Sequence, residues 1–336
     1  MRLARRHLLA TAGAALALPR LGQAQGLTKV TLRLKWLPQT QFAGFYLAAE
    51  RGYYREAGLD LTINPGGPNL LTENLVASGN EQFGLSGGMD SVFSAREKGL
   101  PILCIGVAHQ VTPFVFVAKA DGPVKTLEDF RGRKATAWFT GAHLVLYGML
   151  ASRGIPRDAL SITPQQVSVT PFVNGEVDVV AATWYNELNV LKARLGGVEK
   201  LKLFVAEDYG ITVPRDTVIA NTAFAQQNPR AVEAFLRASI RGWKASAAEP
   251  EAAVAAVMKI APTIDRAHQE AMLPEALRLM QAGAAARHGL FAIDPAAVKK
   301  AHDFFVEHRV LAGPIDLAAA FQPQYLDAIP LPERLA

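Results

Sequence analysis

The sequence KVTLRLKWLPQTQFAGFYLAAERGYYREAGLD, residues 29–60, contains a strand, a helix and the start of a second strand. From Lys29 to Trp36 apolar and polar residues alternate, which is the periodicity of a strand with one buried face. Residues 42–57 then predict a helix that ends at Gly58, and a strand follows at residues 60–64. A strand, a helix and a strand in this order predict a parallel sheet with helices on its faces.

The alternation of strands and helices continues along the chain in two blocks. The first block adds helices at residues 69–78 and 89–98 and strands at residues 82–85 and 102–107. The second block predicts strands at residues 115–118, 134–137, 160–165 and 177–183, with helices at residues 126–130 and 142–153. After a strand at residues 216–221 the chain is almost wholly helical, with helices at residues 229–248, 250–260, 266–285 and 295–308. The two blocks predict two sheets, and the helical part has to pack on the first of them.

Two chain crossings, near residues 110–114 and 212–217, connect the predicted sheets. We therefore expect an α/β protein of two lobes with a hinge and an interlobe cleft. Lobe 1 comprises residues 28–112, lobe 2 comprises residues 113–217, and residues 218–336 return to lobe 1. Small ligands bind beyond the carboxyl ends of parallel strands and between lobes, so the residues after each strand are the candidates for a site.

The first 24 residues have the features of an export signal. Arg5 and Arg6 precede an uncharged run at residues 8–18, which is too short to cross a hydrocarbon core of about 30 Å as a helix. The order Arg-Arg-His-Leu-Leu resembles a twin-arginine signal with cleavage after Ala24, and an uncleaved membrane anchor is the alternative. Four of the 35 basic residues lie here, so the other 31 nearly balance the 30 acidic residues. We expect a periplasmic protein without a basic face for nucleic acid.

The cysteine and histidine content argues against disulfides, metals and cofactors. Cys104 is the only cysteine and lies in the apolar run of residues 101–107, so we expect it to pack in the core. The seven histidines are scattered and lack the spacing of metal ligands. We therefore expect neither a metal nor a cofactor.

Aromatic and amide side chains follow the predicted strands in three stretches. These are residues 36–46 (WLPQTQFAGFY), residues 183–187 (TWYNE) and residues 209–214 (YGITVP). Aromatic rings stack on a flat heterocycle, while amides and carboxylates bond the polar atoms at its edge. The alternatives are that Trp36 and Tyr46 only fill the core and that Glu187 is a solvated residue at the start of a helix.

Together with residues 48–54 (AAERGYY), 65–68 (PGGP) and 171–178 (PFVNGEVD), these stretches resemble a family of ABC-importer binding proteins. Its members bind thiamine pyrimidine precursors and riboflavin, and sulfonate and nitrate binders are more distant relatives. The resemblance covers nearly all of the chain after the leader. It implies the type II periplasmic-binding-protein fold, capture of a small heteroaromatic ligand in the cleft, and delivery by a monomer to an ABC permease in the inner membrane.

The chain departs from the thiamine-precursor binders at two positions. Those proteins carry Asn and His where this chain has Gln39 and Phe42, and residues 41–44 (QFAG) are more similar to the riboflavin-type relatives. A phenyl ring in place of an imidazole favours a larger ligand that depends more on stacking. A sulfonate or nitrate binder is the alternative, but it needs a cationic or N–H-rich site, and the sequence offers only Lys35 at a cleft position.

The candidate residues have three roles. We expect stacking from Trp36, Tyr46, Trp184 and Tyr185, and edge hydrogen bonds from side chains such as Gln41 and Asn186. Backbone N–H groups at two helix starts, Gly87 to Met89 and Thr140, are expected to bond ligand oxygens. The complete set is Trp36, Gln39, Gln41, Phe42, Tyr46, Ser86, Gly87, Gly88, Met89, Trp138, Thr140, Trp184, Tyr185, Asn186, Glu187 and Tyr209.

An enzyme is the alternative from another class. Gly84-Leu85-Ser86-Gly87-Gly88 matches the G-x-S-x-G motif of serine hydrolases and falls between a predicted strand and a predicted helix. The acid and histidine that could follow it, Asp265 with His288 or His302, lie in the helical part, and no oxyanion segment precedes it. Eukaryotic relatives that make the thiamine pyrimidine suicidally carry a cysteine-rich segment and a reactive histidine, which this chain lacks. We therefore expect a binding protein and not an enzyme.

Overall fold

The computed structural model describes residues 26–336, whose ten strands form two five-stranded sheets. The predicted export signal at residues 1–24 lies outside the described residues. The strands are β1 Thr28–Arg33, β2 Leu59–Asn64, β3 Phe83–Gly88, β4 Ile102–His109, β5 Phe114–Lys119, β6 Lys134–Ala137, β7 Ser161–Pro164, β8 Val179–Thr183, β9 Leu201–Val205 and β10 Arg215–Asn221.

The first sheet has the strand order β2-β1-β3-β10-β4. β1 pairs in parallel with β2 and β3, whereas β10 pairs antiparallel with β3 and β4. The sheet is therefore mixed and not purely parallel as predicted. The reason is that β10 returns from the second sheet and inserts between two strands that run the other way. Its amino end consequently lies at the same edge as the carboxyl end of β3.

The second sheet has the order β7-β6-β8-β5-β9 and is mixed in the same way. β5 pairs antiparallel with β8 and β9, and Phe114 at its amino end lies opposite Thr183 at the carboxyl end of β8. The sequence did not predict β9, because its five residues do not alternate cleanly between buried and exposed positions. In each sheet, one antiparallel strand therefore begins at the edge where neighbouring strands end.

Helices cover both sheets in the described part of the chain. The single helix predicted at residues 42–57 is two helices, since Gly52 adopts a φ of 74° between them. The four long helices predicted after residue 228 are confirmed, and α11 and α13 end somewhat earlier than predicted. The α-helices are α1 Ala43–Glu50, α2 Tyr53–Glu56, α3 Thr72–Ala77, α4 Met89–Glu97, α5 Ala142–Ser152, α6 Thr170–Val173, α7 Glu187–Leu195, α8 Thr222–Gln227, α9 Pro229–Ala248, α10 Pro250–Ile260, α11 Arg266–Gln281, α12 Ala285–His288, α13 Pro295–Glu307, α14 Leu317–Ala320, α15 Gln324–Asp327 and α16 Leu331–Arg334.

The C-terminal helices pack mainly on the first sheet, as expected. α9 lies against α1 so closely that a Cβ on Gly44 would lie 2.3 Å from the ring of Trp243. Glycine is required there because any side chain would force the two helices apart. α13 reaches both lobes, since Phe305 contacts Phe93 of α4 while a Cβ on Gly148 of α5 would lie 2.9 Å from Phe304. Cys104 is buried in β4, and burial raises its pKa to about 12, which confirms its place in the core.

Two segments of chain connect the sheets, between His109 and Phe114 and between Val205 and Arg215. The strand that returns to the first sheet begins at Arg215, earlier than the predicted boundary at residue 218. Its second residue, Asp216, has a φ of 53°, which is uncommon for a residue other than glycine. None of the helices in residues 26–336 has the length and apolar composition needed to span a bilayer.

Candidate functional site

A cavity with about 500 Å³ of empty space lies between the two lobes. It is bounded by the ends of β1, β3 and β10 on one side and by residues near the ends of β5, β6 and β8 on the other. The lining residues are Lys35, Trp36, Gln39, Gln41, Leu70, Thr72, Glu73, Gly87, Phe114, Trp138, Thr140, Thr183, Tyr185, Asn186, Glu187 and Arg215.

Aromatic rings from both lobes form one part of the cavity wall. The indole of Trp36 from the first lobe and that of Trp138 from the second have ring centroids 5.8 Å apart at an interplanar angle of 81°. The ring of Phe114 stacks beside Trp138 at 5.9 Å, and Tyr185 is also at the cavity. Such rings offer faces and edges on which a flat ligand can stack.

Arg215 and Lys35 supply two cationic groups to the cavity. Arg215 is almost completely buried, and its Nη1 donates to Asp90 Oδ1 at 2.5 Å. Its guanidinium carbon also lies 4.5 Å from the ring centroid of Phe114, within the range of a cation–π contact. The attraction to Asp90 offsets part of the cost of removing the guanidinium from water.

The second cation, Lys35, pairs with Asp216. Asp216 also accepts a hydrogen bond from Gln41 Nε2 at 2.5 Å, and His109 Nδ1 lies 3.7 Å from its carboxylate. Burial lowers the pKa of Lys35, and Asp216 acts in the opposite direction by favouring the charged amine. Burial also lowers the pKa of His109 to about 4, so its imidazole is neutral at pH 7.

Carboxylates and amides supply hydrogen-bond acceptors to the same cavity. Glu187 at the start of α7 accepts bonds from Thr183 N at 3.1 Å and Thr183 Oγ1 at 2.7 Å, and one from Asn186 Nδ2 at 2.7 Å. Burial raises the pKa of Glu187, and these donors partly oppose the shift. Glu73 accepts a bond from the Ser86 hydroxyl and a longer one, 3.4 Å, from Gly87 N. The cavity can therefore bond N–H groups of a ligand as well as oxygens.

The two lobes touch each other beside the cavity. A Cβ on Gly87 of the first lobe would lie 2.1 Å from the carbonyl oxygen of Thr140 in the second, and Ser91 Oγ donates to the same carbonyl at 3.4 Å. At another point His268 Nε2 of α11 lies 2.7 Å from Asn186 Oδ1 of the second lobe. The lobes are thus in the closed arrangement.

The structure brings nine of the sixteen candidate residues to the cavity. They come from both lobes and include side chains that follow β1 and β8 and the backbone at Gly87 and Thr140. They are Trp36, Gln39, Gln41, Gly87, Trp138, Thr140, Tyr185, Asn186 and Glu187. The other seven lie elsewhere: Phe42, Tyr46, Ser86, Gly88, Met89, Trp184 and Tyr209.

The first of these corrections concern residues of the first lobe. Phe42 and Tyr46 point into its hydrophobic core, so they pack against helices and not against a ligand. Ser86 is buried within β3 and its hydroxyl donates to Glu73, while Gly88 pairs with Arg215 of β10. The backbone N–H of Met89 is not free for a ligand, since it donates to Pro214 O at 3.2 Å.

The other corrections concern the second lobe. Trp184 packs on the cluster of apolar residues that includes Val115 and Val180 of the second sheet, whereas Tyr185, its neighbour in the turn after β8, lines the cavity. The ring of Tyr209 lies under the guanidinium of Arg153 at 5.4 Å. The indole that faces Trp36 is therefore Trp138 and not Trp184.

Sequence reasoning missed seven lining residues, which are Lys35 (considered only for an anion site), Leu70, Thr72, Glu73, Phe114, Thr183 and Arg215. Arg215 and Phe114 were missed because the search followed carboxyl strand ends, and both residues begin antiparallel strands. A signal existed for Arg215, since it is a charged residue at the start of a buried strand. Glu73 lies in the short helix α3, where no sequence pattern distinguishes it from a solvated glutamate.

A cavity between two mixed α/β lobes, which is lined by residues of both lobes, is the arrangement of two-lobed solute-binding proteins; two segments of chain connect these lobes. The chain belongs to the NMT1/THI5-like family, whose model matches residues 39–253. It is 27% identical to the riboflavin-binding protein RibY of Chloroflexus aurantiacus over 308 residues, which cover 89% of this chain and 86% of RibY. It is 28% identical to the formylaminopyrimidine-binding protein of Halalkalibacterium halodurans, over 68% of this chain and 70% of that protein. Its relatives also include 4-amino-5-hydroxymethyl-2-methylpyrimidine phosphate synthases.

Solved structures share the fold. The alkanesulfonate-binding protein SsuA from Xanthomonas axonopodis pv. citri, solved with bound MOPS, matches with a TM-score of 0.64 at 14% identity, over 89% of this chain and 99% of SsuA. At this identity the likeness concerns the fold alone. It confirms the predicted periplasmic-binding-protein fold.

Proposed function

We propose that this protein is the solute-binding component of an ABC importer and captures a small, flat heteroaromatic ligand between its lobes. The observation that carries the proposal is the cavity wall that Trp36 and Trp138 form from opposite lobes. A ligand that stacks on rings of both lobes makes its full set of contacts only when the lobes are closed. Binding therefore favours the closed arrangement, which is the signal a permease can detect.

The charges around the cavity support a neutral or cationic ligand over a sulfonate or nitrate. Two carboxylates, Glu73 and Glu187, line the cavity, and Asp90 and Asp216 pair with its two cations. An anion entering this site would meet cations that are already neutralised and two further acidic groups. The relatives RibY and the formylaminopyrimidine-binding protein are named for heteroaromatic ligands, in agreement with this inference.

We infer that the two lobes, each built on one of the sheets, move relative to each other. Residues 28–112 and 218–336 would form lobe 1, and residues 113–217 would form lobe 2. Because β10 begins at Arg215, the second crossing ends there, before the predicted boundary at residue 218. The lobes would rotate about the segments between His109 and Phe114 and between Val205 and Arg215. Asp216, at the end of the second segment, has a strained φ and contacts Gln41, so it connects the hinge to the cavity.

We further propose that the protein acts in the periplasm as a monomer, after export by its N-terminal signal, and delivers its ligand to an inner-membrane permease. The periplasmic-binding-protein fold and the Arg-Arg leader support this location. Export can be tested by fractionating cells that express the full chain. Replacing Arg5 and Arg6 with lysine should retain the protein in the cytoplasm if the twin-arginine route is used.

The position of Ser86 argues against the hydrolase alternative. The G-x-S-x-G motif lies inside β3 and not at a turn between strand and helix, and Ser86 Oγ donates to Glu73 rather than contacting a histidine. His302, one proposed partner, packs on Phe93 and bonds the backbone of Ile315. We therefore propose that the protein binds its ligand and does not catalyse a reaction on it.

A thermal-shift screen of the protein lacking its leader tests this function. The probes are riboflavin, 4-amino-5-hydroxymethyl-2-methylpyrimidine, ethanesulfonate and nitrate. A ligand at 100 times its Kd adds about 2.7 kcal/mol to the free energy of unfolding, which is easily seen as a rise in Tm. We expect a rise with at least one heteroaromatic compound and none with the two anions. A rise with the anions alone would contradict the proposal.

A further inference from the structure

The cavity wall contains hydrogen-bond donors that the protein does not use. Lys35 has three N–H groups, and its only hydrogen-bonding or ionic partner within residues 26–336 is Asp216. Arg215 donates through Nη1 to Asp90, while its Nη2 lies beside Gly87 of the cavity wall and has no hydrogen-bond partner in the described part of the chain. Both side chains line the cavity, and Lys35 is 14% exposed. Donors at a cavity wall that lack a protein acceptor can bond water or a ligand that supplies the acceptor.

The two cations line the same cavity, and Asp216, the ionic partner of Lys35, directly follows Arg215 in the chain. Burial lowers the pKa of Lys35, and the positive charge of Arg215 lowers it further. A pair of like charges kept at the wall of a cavity is more typical of a ligand site than of a structural ion pair.

The type of acceptor follows from the charge balance. Asp216 neutralises Lys35 and Asp90 neutralises Arg215, so no net positive charge remains to hold an anion. Glu73 and Glu187, at the same cavity, add negative charge. An uncharged oxygen, such as a ring carbonyl, can accept hydrogen bonds from both cations without bringing a further negative charge into the site.

We propose that Lys35 and Arg215 form a donor subsite for a ring carbonyl, so that the protein selects oxo-substituted nitrogen heterocycles over aminopyrimidines that lack an oxo group. This inference rests on the proposed binding of a flat heteroaromatic ligand. Glu73 and Glu187 complement the subsite, because their carboxylates can accept the N–H groups that accompany ring carbonyls in lactams. The aromatic wall holds the ring faces and is indifferent to the substituents.

Calorimetric titration with two matched pairs of probes separates the effect of ring size on affinity from the effect of the oxo group. The one-ring pair is thymine and 4-amino-5-hydroxymethyl-2-methylpyrimidine, and the three-ring pair is lumichrome and phenazine. Ethanesulfonate serves as the anionic probe. We expect that, for the ring size that binds, the oxo compound binds about 10- to 100-fold tighter than its partner without an oxo group, which is the effect of a hydrogen bond from a charged donor.

Two variants assign this preference to Lys35. K35M should remove most of the preference, because it should lower the affinity for the oxo compound and leave the affinity for its partner unchanged. Because K35M leaves Asp216 unpaired and can impair folding, the double variant K35M/D216N serves as a charge-balanced replacement in which Asn tolerates the positive φ of residue 216.

Three results would overturn the inference. The first is equal or tighter binding of the compounds without an oxo group, and the second is an equal loss of affinity for both compounds of a pair in a folded Lys35 variant. The third is tighter binding of ethanesulfonate than of any ring. If none of the ring probes and no sulfonate binds, the heteroaromatic function fails together with the subsite, whereas binding of rings without an oxo group alone refutes only the subsite.

Discussion

The indole rings of Trp36 and Trp138 lie edge to face with centroids 5.8 Å apart, although they belong to different lobes. Trp36 follows β1 of the first sheet and Trp138 follows β6 of the second. Their contact requires the lobes to be closed. The pair therefore connects the position of the lobes with the aromatic wall on which a ligand would stack.

Trp138→Ala should weaken binding of the ligand found in the thermal-shift screen, whereas Trp184→Ala should not. Loss of a stacking ring costs about 1–3 kcal/mol, or roughly 5- to 150-fold in Kd. Trp184 is a matched control, since it belongs to the same lobe but packs outside the cavity. Calorimetric titration measures both constants, and a loss caused only by Trp184→Ala would contradict the assignment of the wall.

Gly87→Ala should prevent full closure. The new Cβ would lie 2.1 Å from the Thr140 carbonyl oxygen, and overpacking of this kind costs about 1–3 kcal/mol, which we expect to appear as a roughly 5- to 150-fold loss of affinity. Small-angle scattering should show a more open molecule in the presence of ligand. Gly67→Ala is the control, because a Cβ there meets no atom within 4 Å. Unchanged affinity in Gly87→Ala would show that closure is not needed for binding.

His268→Ala should speed ligand release. His268 Nε2 bonds Asn186 Oδ1, and Asn186 in turn donates to the cavity carboxylate of Glu187. Losing one such bond costs about 0.5–1.5 kcal/mol, so stopped-flow fluorescence should give an off-rate roughly 2- to 12-fold higher. His268→Gln keeps a donor and should recover part of the loss, while the exposed His288→Ala should have no effect. An off-rate that is the same in all three variants would exclude this contact as a latch.

Stability should fall on acidification because of His109. Burial lowers the pKa of this imidazole from 6.5 to about 4, so between these values the unfolded chain binds a proton that the folded chain does not. The free energy of unfolding is therefore expected to decrease as the pH falls from 6.5 to 4, by up to about 3 kcal/mol from this group. His109→Gln should lose this part of the pH dependence, which urea unfolding at several pH values measures. Parallel profiles for the two proteins would refute the prediction.

The sequence predicted the fold well because its periodicities are local. β1 alternates cleanly, and the long C-terminal helices start at Pro229, Pro250 and Pro295, which are positions that favour a helix start. β9 lacks such a pattern and was missed. The order of strands in a sheet is not local, and so the antiparallel insertion of β10 could not be derived from periodicity.

The same distinction between local and non-local features explains which residues of the cavity wall the sequence indicated and which it did not. Trp36 and Tyr185 were found because they follow strands whose carboxyl ends lie at the cavity. Arg215 and Phe114 were missed because they are the first residues of strands that run in the opposite direction. The structure places Trp184 outside the cavity, and the sequence pattern around it does not specify which of the neighbouring side chains turns inward.

A crystal structure of the protein with the strongest ligand from the thermal-shift screen tests the central claim most directly. We predict that the ring system of the ligand lies between the lobes, in contact with Trp36 and Trp138, with its polar edge toward Lys35, Arg215 and Glu187. A ligand bound on the outer surface, or within one lobe without contact to either indole, would contradict the account.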